Sequence, residues 1–210
     1  METKALIAIT AYNRSDTLQK SLEYHELYSK GIDIFIHYDD VDNRIGIPAS
    51  KNACIREFMS GDYTHLFLFD DDTYPIKTGW EQEYINSGLE HACYTFYPVR
   101  KRHDKYNEFR LANGCMMMVT RICVEIAGGF DTDFGMGKYE HKEFSQRVHD
   151  FGLTPCEFLD IPNSSEYIYC LDQDKHHKRS MTEVEMNMLL NKNYPIYLQK
   201  LKNLRRFVSL

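Results

Sequence analysis

One run of residues constrains the fold of this chain more than any other. Residues 66–69 (LFLF) are apolar, and Asp70, Asp71 and Asp72 follow them directly. A short apolar run of this kind is typical of a strand buried on both faces of a sheet. Three adjacent carboxylates are costly to bury unless a cation compensates them. Because open α/β sheets bind ligands at the carboxyl ends of their strands, the run predicts a metal-assisted nucleotide site. A solvated acidic turn is the alternative.

Composition indicates a single folded domain. The chain has 210 residues, of which 43% are hydrophobic and 13% aromatic, enough to bury a full core. Its net charge of −6 does not favour a general polyanion binder. The six cysteines form no C-x-x-C pair, which indicates reduced thiols, and no apolar run approaches the roughly 18 residues of a membrane span. We therefore expect a cytoplasmic protein without a membrane span, and the sequence indicates no protein partner.

Strand and helix patterns alternate in the first half of the chain. The apolar runs predict strands at 4–10, 32–38 and 65–69. Helical spacing predicts helices from about 16 to 30 and from about 48 to 59, each followed by a glycine. Alternation with short connections predicts a parallel sheet with helices on its faces.

The second half is less regular. A loop at 134–138 carries two glycines, Gly135 and Gly137, and is predicted to be mobile. We expect a break in the C-terminal helical region at Pro195, since proline removes a helix hydrogen bond. The further predicted elements are strands at 92–97, 115–119 and 166–171, and helices at 122–127, 140–151, 181–191 and 196–208.

Several short motifs follow one another along the chain. They are TAYNR at 10–14, Asp39-Asp40 after the second strand, ASKN at 49–52, the acidic triplet at 70–72, Asn113-Gly114, GGFD at 128–131, and Glu140 with Arg147 seven positions later. In this order they resemble the family 2 glycosyltransferases, over about residues 4 to 180. The resemblance implies a single GT-A (Rossmann-like) α/β domain, with a mostly parallel central sheet flanked by helices.

The resemblance also implies a division of the chain and a reaction. Residues 1–180 would form the glycosyltransferase domain, with a nucleotide-binding half at 1–98 and an acceptor-side half at 99–180. Residues 181–210 would be a C-terminal helical extension. A sugar would pass from a nucleotide-diphosphate donor, for which UDP is favoured, to a hydroxyl acceptor, with inversion at the anomeric carbon by a single displacement.

Donor and metal ligands follow from the same resemblance. The donor-binding residues would be Thr10, Tyr12, Asn13, Arg14, Asp39, Asp40, Lys51, Asp70, Asp71 and Gly114. Lys51 stands where the family often has an arginine. A divalent ion, Mn²⁺ or Mg²⁺, would be held by Asp72 and Asp70, with His176 or His177 completing the shell; a solvated polar loop is the alternative for the two histidines. Hard ions of this kind prefer oxygen ligands.

One departure from the family pattern concerns the catalytic base. The family usually has an aspartate directly after the acid at Glu140, and this chain has His141. An acceptor hydroxyl attacks better if a base removes its proton, and either Glu140 or His141 can serve. The third interpretation is a weakened site, that is, a nucleotide-sugar-binding pseudoenzyme.

The acceptor is left open by the sequence. Residues 100–110 are basic and could contact the phosphates of DNA, as in an enzyme that glycosylates a hydroxylated base. The overall negative charge counts against this alternative, and the stretch could instead be an exposed loop. A saccharide hydroxyl is the other acceptor class that we expect.

Overall fold

The computed structural model of this protein describes residues 3–174 and 181–210. Its helices are α1 (Ser15–Tyr28), α2 (Ile47–Ser60), α3 (Trp80–Ser87), α4 (Arg121–Ala127), α5 (Glu140–Asp150) and α6 (Glu183–Lys200). Its strands are β1 (Ala5–Ala11), β2 (Asp33–Tyr38), β3 (His65–Asp70), β4 (Thr73–Pro75), β5 (His91–Cys93), β6 (Lys101–Arg102), β7 (Asn107–Glu108), β8 (Met116–Thr120), β9 (Leu159–Asp160) and β10 (Ile168–Cys170).

The central sheet has the strand order β2-β1-β3-β8-β5. Strand β1 pairs in parallel with β2 and with β3, so that Thr10 lies opposite both His37 and Asp70. Strand β8 is antiparallel to β3 and to β5, so β5 runs in the same direction as the first three strands. The sheet is therefore mostly parallel, and the predicted α/β fold class is confirmed.

Helices cover both faces of this sheet. Along β1, Leu6 and Ala8 point to one face while Ile7 and Ile9 point to the other, as alternation along a strand requires. The first face packs against α2, α4 and α5, and the second against α1 and α3. Burial on both faces explains why β1, β3 and β8 are continuous apolar runs in the sequence, whereas the edge strand β2 is partly exposed.

Two small sheets lie outside the central one. Strands β4 and β10 form an antiparallel pair, and β6, β7 and β9 form a three-stranded sheet. The basic stretch 100–110 belongs to the second of these as a hairpin. Arg100 in this hairpin pairs with Glu108 at 3.0 Å, so part of its positive charge is already compensated.

The predicted helix break at Pro195 is wrong. Helix α6 continues from Glu183 to Lys200 with Pro195 inside it. Proline leaves the carbonyl four residues earlier without its helical donor. That carbonyl belongs to Asn191, which is exposed, so water can hydrate it and the helix continues. Within the described part of the chain, no helix is both long and apolar enough to cross a membrane.

The strand predicted at 92–97 is also shorter than expected. Strand β5 ends at Cys93. Beyond it, the backbone N–H groups of Thr95 and Phe96 donate to the side chains of Asp160 and Asn113, at 3.3 Å and 3.2 Å. These side-chain acceptors replace a ladder partner, which apolar patterning could not indicate. The strand predicted at 166–171 is shortened to β10, after a 3-10 turn at Ser164–Glu166.

Candidate functional site

The carboxyl ends of the three parallel strands meet at one cavity. Thr10, Asp39 and Asp70 stand at or just after the ends of β1, β2 and β3, and all three line a cavity of about 370 Å³. The Thr10 hydroxyl lies 3.4 Å from Oδ1 of Asp70. Ligand pockets in proteins typically have volumes of this order. The fold thus gathers residues that are up to 60 positions apart in the sequence at one sheet edge.

Arg14 compensates two of the three consecutive carboxylates. Its guanidinium forms an ion pair with Asp71 and a second one with Asp72, whose Oδ2 lies 2.7 Å away. Burial raises the pKa of Asp71 to about 7, although the charge of Arg14 acts in the opposite direction. Asp71 and Asp72 are therefore buried and charge-compensated in this structure, and the triplet is not the solvated turn of the alternative interpretation.

The loop after β2 closes over Asp39. The carboxylate of Asp39 accepts hydrogen bonds from the backbone N–H groups of Ile45 and Gly46, at 2.8 Å and 3.1 Å. The same loop places the guanidinium of Arg44 over the ring of Tyr12, 3.8 Å from its centroid. Arg44 is 3.7 Å from the Asp39 carboxylate and forms a cation–π contact that no motif of the sequence indicated.

Asp40 and Asn13 occupy turns beside the cavity. Oδ1 of exposed Asp40 accepts from the N–H groups of Asp42 and Asn43, so this carboxylate caps the turn. Asn13 has a φ of 48°, a left-handed conformation that asparagine tolerates better than most residues. Both residues lie next to the site, but neither is among the described residues that line its cavities.

Lys51 is an internal cation beneath the site. Its side chain is 1% exposed; Nζ donates to the Gly114 carbonyl at 2.7 Å and lies 3.2 Å from Oδ1 of Asp70. Burial lowers the pKa of Lys51, but the negative charges of Asp70 and Glu140 outweigh burial and raise it. Burial also raises the pKa of Asp70, against the effect of Lys51. Lys51 therefore acts on the site through Asp70 and Gly114.

Glu140 and His141 begin helix α5 on the far side of a second, smaller cavity, which Asp70 also lines. Nδ1 of His141 is 3.2 Å from Oε1 of Glu140, and Nε2 is 3.1 Å from the Ala112 carbonyl. Burial opposes ionisation of Glu140, yet His141 and Lys51 outweigh it and lower the pKa of Glu140 to about 2. The other carboxylate oxygen, Oε2, is buried and has no hydrogen-bond partner within the described residues.

Gly114 explains how His141 approaches so closely. A Cβ on Gly114 would lie 2.6 Å from the imidazole ring of His141, and the φ of this glycine is +76°. A side chain here would therefore push the histidine away from the Ala112 carbonyl, in a backbone conformation that itself favours glycine. This predicted donor-binding residue lines the smaller cavity.

Two other motif residues, Asn52 and Arg147, stabilise the fold around the site. Asn52 exchanges two hydrogen bonds with the backbone of Phe130, at 2.7 Å and 2.8 Å. Arg147 is fully buried and donates to the carbonyls of Ala127 and Gly129 while it pairs with Glu143. Together they fix the GGFD turn beneath the start of α5.

The structure brings most predicted site residues together. The larger cavity is lined by Thr10, Tyr12, Arg14, Asp39, Asp70, Asp71, Asp72 and His141, and the smaller one by Gly114 and Glu140. His176 and His177, the predicted metal ligands of the C-terminal segment, lie outside the described residues. Sequence reasoning missed Arg44, Asn113 and the α6 side chains Met186 and Leu190, which also line the larger cavity. No motif contains Arg44 or the α6 residues, and only the Asn113-Gly114 pair gave a signal.

Comparisons with known proteins give the fold. No protein-family model and no curated protein matches this chain. The mannosyltransferase PcManGT from Pyrobaculum calidifontis, solved in complex with GDP-Man and Mn²⁺, has a TM-score of 0.54 and 11% identity, and the match covers 76% of this chain and 57% of that one. S. aureus TarS, residues 1–349, has a TM-score of 0.51 and 10% identity over 94% of this chain and 71% of that one. Its complex with UDP gives a TM-score of 0.50 at 11% identity, over 93% and 71%. These likenesses show a GT-A-like fold of the kind found in glycosyltransferases.

Proposed function

We propose that this protein is a glycosyltransferase that moves a sugar from a nucleotide-diphosphate donor to a hydroxyl acceptor. The observation that carries the proposal is the convergence of the Asp70–Asp72 carboxylates and Glu140 on adjoining cavities at the carboxyl edge of the sheet. Asp70, Asp71 and Asp72 lie at the sheet edge where α/β proteins bind nucleotides, and the Glu140 carboxylate lines the smaller cavity together with Asp70. That PcManGT binds GDP-Man and TarS binds UDP supports a nucleotide donor here, and we keep UDP as the first choice.

The donor set suits a divalent cation such as Mn²⁺ or Mg²⁺. Magnesium is usually held by one or two carboxylates together with substrate phosphates, and not by an all-protein cage. Within residues 3–174 and 181–210, no group of three acidic, histidine or cysteine side chains is placed to hold a metal, and the predicted histidine ligands lie outside these residues. Asp72 and Asp70 would hold the ion, with His176 or His177 as the further ligands expected from the sequence. Charge on the departing diphosphate is neutralised by such a cation when it is bound.

The hydrogen bonds of His141 favour Glu140 as the base. Both ring nitrogens of His141 face an oxygen acceptor, and a neutral imidazole has only one N–H. Both contacts are hydrogen bonds when the ring is an imidazolium, which has no lone pair with which to take a proton. His141 then orients Glu140 by donating to Oε1 and keeps its carboxylate ionised at neutral pH, and we assign the acceptor's proton to Oε2, which is buried and has no hydrogen-bond partner within the described residues. A direct displacement of this kind inverts the anomeric carbon.

Two alternatives are kept beside this proposal. The Arg100–Glu108 pair reduces the charge that the basic hairpin offers to phosphates, so a saccharide is favoured over DNA as the acceptor. A pseudoenzyme that binds a nucleotide sugar without transfer would show donor binding but no turnover. The cytoplasmic location and the division at residues 98 and 180 stay predictions.

A ligand screen tests the proposal. We expect a UDP-sugar at 100 times its Kd to stabilise the protein by about 2.7 kcal/mol, which corresponds to a rise in Tm of about 5–10 °C, and only with Mn²⁺ present. Asp72→Asn should abolish the metal-dependent rise, while Asp42→Asn, an exposed acid on a neighbouring loop, should keep it. Glu140→Gln should lower kcat for transfer by a factor of about 10²–10⁴ and leave donor affinity unchanged. A Tm that no nucleoside diphosphate changes, with or without metal, would refute the proposed function.

A further inference from the structure

Helix α6 contributes an unusual buried residue. Asn193 is 1% exposed and is the residue of this helix that the structure buries. Its neighbours along the helix are largely exposed, as Met188 is, at 67%. A helix normally docks through an apolar stripe, and here a polar amide takes the innermost position. A buried amide requires hydrogen-bond partners, so its contacts show what the helix is fixed to.

The partners of Asn193 are backbone carbonyls of the loop before Glu140. Nδ2 donates to Phe134 O at 2.7 Å and to Gly137 O at 2.6 Å. Both N–H groups of the amide are therefore used within the glycine-containing loop 134–138. This is the loop that the sequence predicted to be mobile, and in the structure α6 holds it.

The same loop carries local backbone strain. Lys138 and Tyr139 have φ values of 74° and 73°, in the left-handed region that side chains other than glycine, asparagine and aspartate rarely adopt. Two such residues in succession persist only where their surroundings impose the conformation. Tyr139 directly precedes Glu140, so this strained pair sets how α5 begins and where the Glu140 carboxylate points.

Helix α6 also restrains the loop through a ring contact. The rings of Tyr139 and Tyr197 stack with centroids 4.8 Å apart, and the Tyr197 hydroxyl donates to Gln146 of α5 at 2.7 Å. On the opposite side, a Cβ on Gly137 would come within 2.8 Å of Ile47 at the start of α2. The loop is thus enclosed between the donor side of the site and the C-terminal helix.

We infer that Asn193 is a positioning residue that fixes loop 134–138 and the adjoining Tyr139, and through them the carboxylate of Glu140. Helix α6 is then a required part of the site. The inference rests on the proposed function for its catalytic consequence. It follows from the two Asn193 hydrogen bonds, the strain at Lys138 and Tyr139, and the direct covalent connection of that pair to Glu140. Lys138 and Tyr139 also line the larger cavity, but the hydrogen bonds and ion pairs of Asp39, Asp71 and Asp72 come from Ile45, Gly46 and Arg14, so donor affinity should depend on Asn193 less than kcat does.

The test removes at least one of the two donated hydrogen bonds. Asn193→Asp has the same shape; when ionised it offers only acceptors to the two carbonyls, and when protonated it donates a single hydrogen bond. We expect at least a tenfold faster hydrogen exchange at the Gly135 and Gly137 amides in the free protein. We expect kcat for transfer to fall 10- to 100-fold, with a smaller change in donor Kd. Met188→Ala on the same helix is the control and should change none of these quantities.

A second variant covers the case in which Asn193→Asp does not fold. Tyr197→Leu removes the ring contact with Tyr139 and should give the same changes with a smaller amplitude. Exchange at the loop amides that equals that of the Met188→Ala control overturns the inference whether or not the protein transfers a sugar. Faster exchange with unchanged kcat overturns the positioning role. A wild type that binds no nucleotide sugar counts against the proposed function, and the exchange measurement still decides whether Asn193 fixes the loop.

Discussion

Lys51 provides the sharpest test of how the site is held together. Lys51→Met keeps most of the volume of the side chain and removes its charge and its donors. Two groups then lose their partner: the Gly114 carbonyl, 2.7 Å from Nζ, and the Asp70 carboxylate, 3.2 Å away. Lys51 is buried while Asp70 is 34% exposed, so water compensates only part of the loss.

The expected magnitude follows from these distances. Two unit charges 3.2 Å apart attract by about 5 kcal/mol at an effective dielectric constant of about 20. Exposure of the carboxylate reduces this, and we expect a coupling energy between Lys51 and Asp70 of about 2–3 kcal/mol. The unpaired Gly114 carbonyl costs about 1–3 kcal/mol more. Lys51→Met should therefore lower the free energy of unfolding by about 3–6 kcal/mol.

The assay is urea unfolding of the wild type, Lys51→Met, Asp70→Asn and the double variant at pH 7. Burial already raises the pKa of Asp70, and loss of the lysine should raise it further. Because a protonated Asp70 needs no counter-ion, the difference in unfolding free energy between Lys51→Met and wild type should shrink as the pH falls. Lys30→Met, at an exposed lysine, should change stability by less than about 0.5 kcal/mol. A coupling energy below about 0.5 kcal/mol would refute the assignment of Lys51 as the counter-ion of Asp70.

Two further predictions concern charged groups at and near the cavity. Arg14→Gln removes the cation that pairs with Asp71 and Asp72. Calorimetry should then show that Mn²⁺ binds to the free protein about tenfold more tightly, which is equivalent to about 1.4 kcal/mol. Equal or weaker binding contradicts competition between Arg14 and the metal. Asp160 is fully buried, and burial raises its pKa to about 7, so the folded protein keeps this proton up to about pH 7 whereas the unfolded chain loses it near pH 4. As the pH rises from about 4 to about 7, the free energy of unfolding of the wild type should therefore fall relative to that of Asp160→Asn, by up to about 4 kcal/mol in urea unfolding. A difference in unfolding free energy that stays constant with pH contradicts the prediction.

The sequence predicted the order of the elements in the first half of the chain well. Strands β1, β2 and β3 and helices α1 and α2 lie within a few residues of their predicted bounds, because each strand is one apolar run and each helix keeps helical spacing over its length. The ends of elements were predicted less well where they depend on hydrogen-bond partners that are distant in the chain or on exposure to solvent. Strand β5 stops at Cys93 because Asp160 and Asn113 provide acceptors. Helix α6 passes through Pro195 because the carbonyl that loses its helical donor belongs to Asn191, an exposed residue.

The amino-acid sequence by itself determined which groups stand at the ends of the strands, because that depends on local pattern and on the direction of a parallel sheet. It therefore located the acidic triplet, Asp39 and the start of α5. Only the tertiary structure decided what each of these groups contacts. It paired Arg14 with the triplet, buried Lys51 under Asp70, and brought Asn193 of the last helix to the loop before Glu140. Hydrogen bonds and ion pairs depend on separation in space, and partners that are distant in the chain, from Lys51 and Asp70 to Asn193 and Gly137, leave no periodic signal of their meeting.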